Sequence, residues 1–136
     1  MKRHIWAKLL VTALILWTAE IPLNAVASSS KLEKAVVSLE EPVRILNVVL
    51  RPGRYLFLHH DGMMERGRPC MYVYTLDSPN EGTRVVAFHC TAAVRARAVE
   101  FKLVIRKVAG DLPVAIEVQF AGTAEGHLVP EQEQAH

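Results

Sequence analysis

After residue 34 the apolar side chains recur with period two rather than 3.6. Such alternation sends successive side chains to opposite faces of an extended strand, so the chain is committed to sheets with one face buried. Val43-Arg44-Ile45-Leu46-Asn47-Val48-Val49-Leu50 is β-branched, mostly apolar and of strand length. Arg51-Pro52-Gly53-Arg54 follows, with proline and glycine where a type II turn wants them. Residues 55–60 resume as a strand, and residues 61–69, with Asp61-Gly62, Gly67 and Pro69, read as a loop.

Two hairpins can be put in register from the residues alone. The turn cluster Asp77-Ser78-Pro79-Asn80-Glu81-Gly82-Thr83 separates residues 70–76 from 84–90. Centred on Asn80, it sets Leu76 against Arg84, Tyr74 against Val86, Tyr72 against Phe88 and Cys70 against Cys90. Aromatic and β-branched pairs of this kind stabilise a sheet by roughly 0.2–1 kcal/mol each. In the second hairpin, residues 99–107 and 114–121 flank Ala109-Gly110-Asp111. The expected pairs are Ile105 with Val114, Leu103 with Ile116, Phe101 with Val118 and Val99 with Phe120, with Lys102 beside Glu117 on the outer face. A slip of one residue would turn every apolar side chain to solvent.

The remaining segments are less patterned. Residues 28–34 read as a loose polar start, residues 91–98 as a connector with helical propensity, and the polar residues from 122 as leading into a frayed tail. No internal repeat is present. The expectation is one all-β domain over residues 28–130, an antiparallel sandwich or barrel of six or seven strands, with a tail at 131–136. Either 43–50 or 114–121 is a candidate exposed edge.

Residues 1–27 have the organisation of a secretion signal. Lys2 and Arg3 precede the apolar run 9–17, and Ala25-Val26-Ala27 makes a small-x-small cleavage site before Ser28. The apolar run is about half the roughly 20 residues that a membrane-spanning helix needs. Glu20 and Pro22 also interrupt it, so no transmembrane anchor is expected after cleavage, and the destination reads as periplasmic or extracellular. Two cysteines in an exported chain are a disulfide by default, which pairs Cys70 with Cys90. Removing the signal also alters the charge. Thirteen basic residues (16 less Lys2, Arg3 and Lys8) then balance thirteen acidic ones (14 less Glu20), and a nucleic-acid partner is excluded.

His59, His60, His89 and His127 are the candidate metal ligands. Strand geometry divides them, because His59 and His60 point to opposite faces and so do His89 and Cys90. One residue from each pair can still join His127, for example His59 or His60 with His89. Such a site predicts copper or zinc uptake that is lost on His89→Ala. Catalytic groupings are absent from the pattern. Ser38 and Ser78 lie in no nucleophile elbow, Glu40-Glu41 before Pro42 reads as a solvated turn, and no phosphate-binding glycine loop occurs. A small hydrolase would need a carboxylate or Ser/His pair that only the fold can assemble.

The stretch from Arg54 to Asp61, with Arg66-Gly67-Arg68-Pro69-Cys70, Phe88-His89-Cys90 and the segment from Phe120 to His127, resembles a group of small exported bacterial β-domain proteins of unknown function. The resemblance spans most of residues 43–130. It implies export and a β fold, and it carries no activity or ligand. The reading is therefore a non-catalytic binding or interaction module of the cell envelope. Its contact surface is expected at Asp61, Glu65, Arg66, Arg68, Glu125 and His127. Copper or zinc binding by strand histidines is the alternative.

Overall fold

A computed structural model describes residues 31–131, and the expected signal (1–27) and most of the tail lie outside them. The described residues form an all-β fold of ten strands. These are β1 (Leu32–Leu39), β2 (Val43–Ile45), β3 (Val48–Leu50), β4 (Gly53–His60), β5 (Met71–Thr75), β6 (Arg84–Phe88), β7 (Thr91–Val94), β8 (Lys102–Arg106), β9 (Val114–Gln119) and β10 (Glu125–Leu128). One sheet has the order β1-β4-β5-β6, and the other β3-β2-β9-β10-β7 with β8 also paired to β9. Pairing is antiparallel except for a single parallel bridge between Arg44 of β2 and Val114 of β9. Among the described residues no helix is long and apolar enough to cross a membrane.

The sandwich closes on a core drawn from both sheets. Ile45, Leu50, Phe57, Met71, Val73, Phe88, Val118 and Phe120 are buried, and Phe101 joins Phe57 to Phe120 through ring contacts of 5.4 Å on each side. Aromatic pairs at this spacing add about 0.5–1.5 kcal/mol each beyond the area they bury. The all-β class expected from the alternation is therefore the observed one, although the strand count rises from six or seven to ten.

Several local expectations are corrected. Residues 43–50 are two strands, because Leu46 takes a left-handed φ of 53° and folds β2 back on β3, with Ile45 opposite Val48. The inward phase switches at that turn, from Val43 and Ile45 to Leu50 with Val49 exposed, and no glycine marks it. Gly53 has φ 153°, far from the roughly +80° of a type II turn, and already begins β4. Glycine is required there by proximity, for a Cβ would lie 2.5 Å from Asp77 Oδ2. Residues 32–34 open β1, residues 91–94 form β7 rather than a helical connector, and β10 occupies residues 125–128 ahead of the expected tail.

Both hairpin registers shift at β-bulges. In the first, Met71 pairs with Phe88 and Val73 with Val86, after which Tyr74 pairs with Arg84 and leaves Val85 unmatched. Met71 and Val73 consequently face the core, while Tyr72 and Tyr74 lie half-buried on the outer face. In the second, Leu103 pairs with Val118 and Ile105 with Ala115, so Ile116 is the extra residue. Leu103 and Ile105 keep their expected inward face, but Val99 lies outside β8 and is 95% exposed. Glu117 is buried and held by Arg95 instead of Lys102, with paired hydrogen bonds of 2.8 and 2.9 Å.

Candidate metal centre

Pairing and packing bring two histidines and a carboxylate to one end of the sandwich. His59 is the seventh residue of β4 and points inward in phase with Tyr55 and Phe57. Glu33 lies directly opposite it on β1, at an inward position of that strand's alternation with Ala35, Val37 and Leu39. His127 enters from the other sheet, on β10 between Val118 of β9 and Ala92 of β7. The two imidazole centroids are 3.8 Å apart, and Phe120 packs within 6.3 Å of both.

The polar geometry converges on one oxygen. Glu33 Oε2 is 3.1 Å from His59 Nδ1 and 3.4 Å from His127 Nε2, and Glu33 Oε1 accepts a 2.9 Å ion pair from Lys31. The Nε2 contact lacks the alignment of a hydrogen bond. His127 is 1% exposed, so its Nε2 is a buried polar atom without a hydrogen-bond partner. An orphan of this kind costs about 1–3 kcal/mol unless something occupies its lone pair or proton. Two further carboxylates stand at the rim, Asp61 Oδ1 at 3.5 Å from His59 Nδ1 and Glu125 Oε1 at 3.7 Å from His127 Nδ1.

Charge follows this arrangement. Burial pushes the His59 imidazole below its ordinary pKa, His127 adds to the effect, and Asp61 and Glu33 oppose it only in part. A neutral imidazole keeps a lone pair for a ligand. Burial by itself would raise the Glu33 carboxyl, but the hydrogen bond and charge of Lys31, with the two imidazoles, hold it below the ordinary range. Glu33 is thus an anion facing two imidazoles inside the sandwich.

The cysteines complete the surroundings. Cys70 and Cys90 are buried with their sulfurs at disulfide-bonding distance and their Cα atoms 6.4 Å apart. The register shift removes them from directly opposite ladder positions without separating them. Cys90 Sγ is 3.8 Å from His127 Nδ1, and Cys90, His59 and His127 each offer a donor atom within 4.8 Å of the other two.

Of the four candidate histidines, the structure unites His59 and His127 and separates the others. His60 turns to the outer face against Tyr72, and His89 is exposed, so the expected role of His89 as a ligand is corrected. Of the expected contact surface, Asp61 and Glu125 each stand beside one imidazole, His127 is buried and so corrected, and Glu65, Arg66 and Arg68 are exposed at a short 3₁₀ turn at Met64–Arg66. Glu33 is the residue that sequence reasoning missed. Its signal is an acidic residue in phase with the apolar Ala35, Val37 and Leu39, legible only once β1 is recognised as a strand. No protein-family model, curated protein or solved structure matches the chain.

Proposed function

We propose that this chain is an exported, non-catalytic binding module whose ligand is a transition-metal ion, copper or zinc, held by His59, His127 and Glu33. The observation that carries the reading is the buried, unpartnered Nε2 of His127, beside a second buried imidazole and a shared carboxylate oxygen. A tetrahedral ion with metal–ligand bonds of about 2.0–2.1 Å keeps its nitrogen and oxygen donors roughly 3.3–3.4 Å apart. The two contacts to Glu33 Oε2, 3.1 and 3.4 Å, straddle that spacing. Two imidazoles and a carboxylate suit zinc or copper(II) better than magnesium or calcium, which prefer oxygen alone.

The environment favours retention of an ion over turnover of a substrate. His59 and His127 are almost fully enclosed, and Asp61 and Glu125 supply negative charge where a cation would enter. Export rests on the organisation of residues 1–27, and the cysteine pair supports an oxidising destination.

Titration of the metal-free full chain with zinc and with copper(II), followed by calorimetry and elemental analysis, tests the reading. One ion per chain is expected, lost in His59→Ala and in His127→Ala and kept in His89→Ala. Uptake by the first two variants equal to that of the unsubstituted chain would remove the assignment.

A further inference from the structure

His127 has a second face. Its Nε2 looks toward Glu33, while its Nδ1 looks toward Cys90 Sγ at 3.8 Å. Cys90 therefore sits where a third donor to both imidazoles would sit, within 4.8 Å of a nitrogen on each. A tetrahedral ion with a metal–sulfur bond of about 2.3 Å and a metal–nitrogen bond of about 2.0–2.1 Å would hold sulfur and nitrogen roughly 3.6 Å apart. The 3.8 Å between Cys90 Sγ and His127 Nδ1 lies close to that value. Bonded to Cys70, however, Cys90 has no thiolate to give.

We infer that the Cys70–Cys90 pair is a redox gate on the metal centre, its reduction releasing Cys90 as a thiolate ligand beside His59 and His127. The inference rests on the metal-binding reading above and adds to it a second donor set. Oxidised, the centre offers two imidazoles and the Glu33 carboxylate. Reduced, it offers two imidazoles and a thiolate, a softer set that selects zinc or copper(I) more strongly.

The chemistry balances with a dithiol as reductant. Its thiolate attacks one sulfur of the pair, a mixed disulfide forms, and the second thiol of the reagent displaces the protein sulfur. The reagent leaves as a disulfide, Cys70 and Cys90 each become a thiol, and two electrons pass to the protein. Binding of the ion then expels one proton from the Cys90 thiol. The neighbours of Cys90, His89 and Thr91, are both exposed, and Cys90 is the less buried of the pair at 5% against 2%. The strand end around Cys90 is thus the side from which a reductant approaches.

Cobalt(II) is the probe, because a thiolate ligand adds a near-ultraviolet charge-transfer band that imidazole and carboxylate ligands do not. The full chain is titrated with cobalt(II) as isolated, and again after reduction with a phosphine and anaerobic desalting. The band is expected only after reduction, together with zinc affinity raised on the order of tenfold. Cys70→Ser leaves Cys90 a permanent thiol and is expected to show the band without reductant. Cys90→Ser is expected to bind the ion without the band in either condition. Cobalt bound equally before and after reduction, with no band in reduced protein or in Cys70→Ser, would overturn the gate and leave the Glu33 centre standing. No binding in either state would overturn both. Should Cys70→Ser fail to fold, the reduced unsubstituted chain gives the same decision.

Discussion

Glu33 carries more of the proposed chemistry than any other single residue. Among the described residues it is the only carboxylate that meets both buried imidazoles, and its charge is maintained by Lys31 against the cost of burial. Glu33→Gln keeps the shape and removes the anion. It is expected to weaken zinc binding by at least the roughly 10–100-fold seen when a ligating histidine loses an outer carboxylate partner, because Glu33 is itself a proposed ligand. Calorimetric titration measures this, and a far-ultraviolet spectrum matching that of the unsubstituted chain shows that the fold is retained. The neighbouring Gly126 is constrained in a different way. A Cβ there would collide with the Glu117 carboxylate and come within 3.1 Å of the Arg95 side chain. Those two groups are locked by a forked ion pair and have little freedom to move. Gly126→Ala is expected to destabilise the protein by about 1–3 kcal/mol, read as a lower midpoint in urea.

At the scale of elements, the start of β4 is tied to the far end of β5 by Asp77. Its Oδ2 accepts from the Arg54 amide at 2.8 Å, and its Oδ1 takes the Arg54 guanidinium at 3.2 Å. The Arg54 amide, helped by the guanidinium, holds the Asp77 carboxyl below its ordinary value of 3.8. A carboxylate with a depressed folded pKa binds protons more readily in the unfolded chain. Its stabilising contribution is therefore complete above 3.8 and is lost as the pH falls through that value toward the folded pKa. Asp77→Asn is expected to flatten the acid side of a stability–pH profile by lowering its neutral plateau, and to leave the stability below that window nearly unchanged. Urea melts at a series of pH values give the comparison. The same elements show how far the sequence could be read. Period two revealed the strand class, the loop over residues 61–69 and the inward face of β8. The registers failed first at the turns, where Tyr74 rather than Leu76 meets Arg84 and Arg106 rather than Ile105 meets Val114, and the bulges at Val85 and Ile116 then each move the pairing by one residue. Asp77 itself looked like ordinary turn chemistry, and its close approach to Gly53 depends on two strands meeting. Half of the candidate metal centre was visible as histidines of unknown partnership. The choice of His59 over His60 depended on which face of β4 turned inward, His89 fell away because it is exposed after β6, and Glu33 depended on a strand that its polar neighbours disguised.

For the whole molecule, an aromatic column packs the two sheets together, the Cys70–Cys90 pair ties the start of β5 to the link between β6 and β7, and the proposed ion would bridge the sheets again. Glu33 and His59 belong to one sheet and His127 to the other, so an ion between them binds only the closed sandwich. Linkage then makes metal a stabiliser, by about 2.7 kcal/mol when its free concentration is a hundred times its dissociation constant. The cysteine pair acts through the unfolded chain instead. Closing a loop with a sequence separation of 20 removes conformational freedom from that state, a term of about 3 kcal/mol on the chain-entropy account. These two contributions are separable by experiment. Reduction of the metal-free protein is expected to lower its stability by about that 3 kcal/mol, seen as a fall in the urea midpoint. Zinc added to the reduced protein is expected to return much of the loss, and to return none in His127→Ala. If zinc raises the stability of the oxidised and the reduced protein by the same amount, the ion is confined to the Glu33 side of His127 and Cys90 is a staple alone. Recovery in both states, larger in the reduced one, is the pattern that a bridging ion with an added thiolate ligand requires.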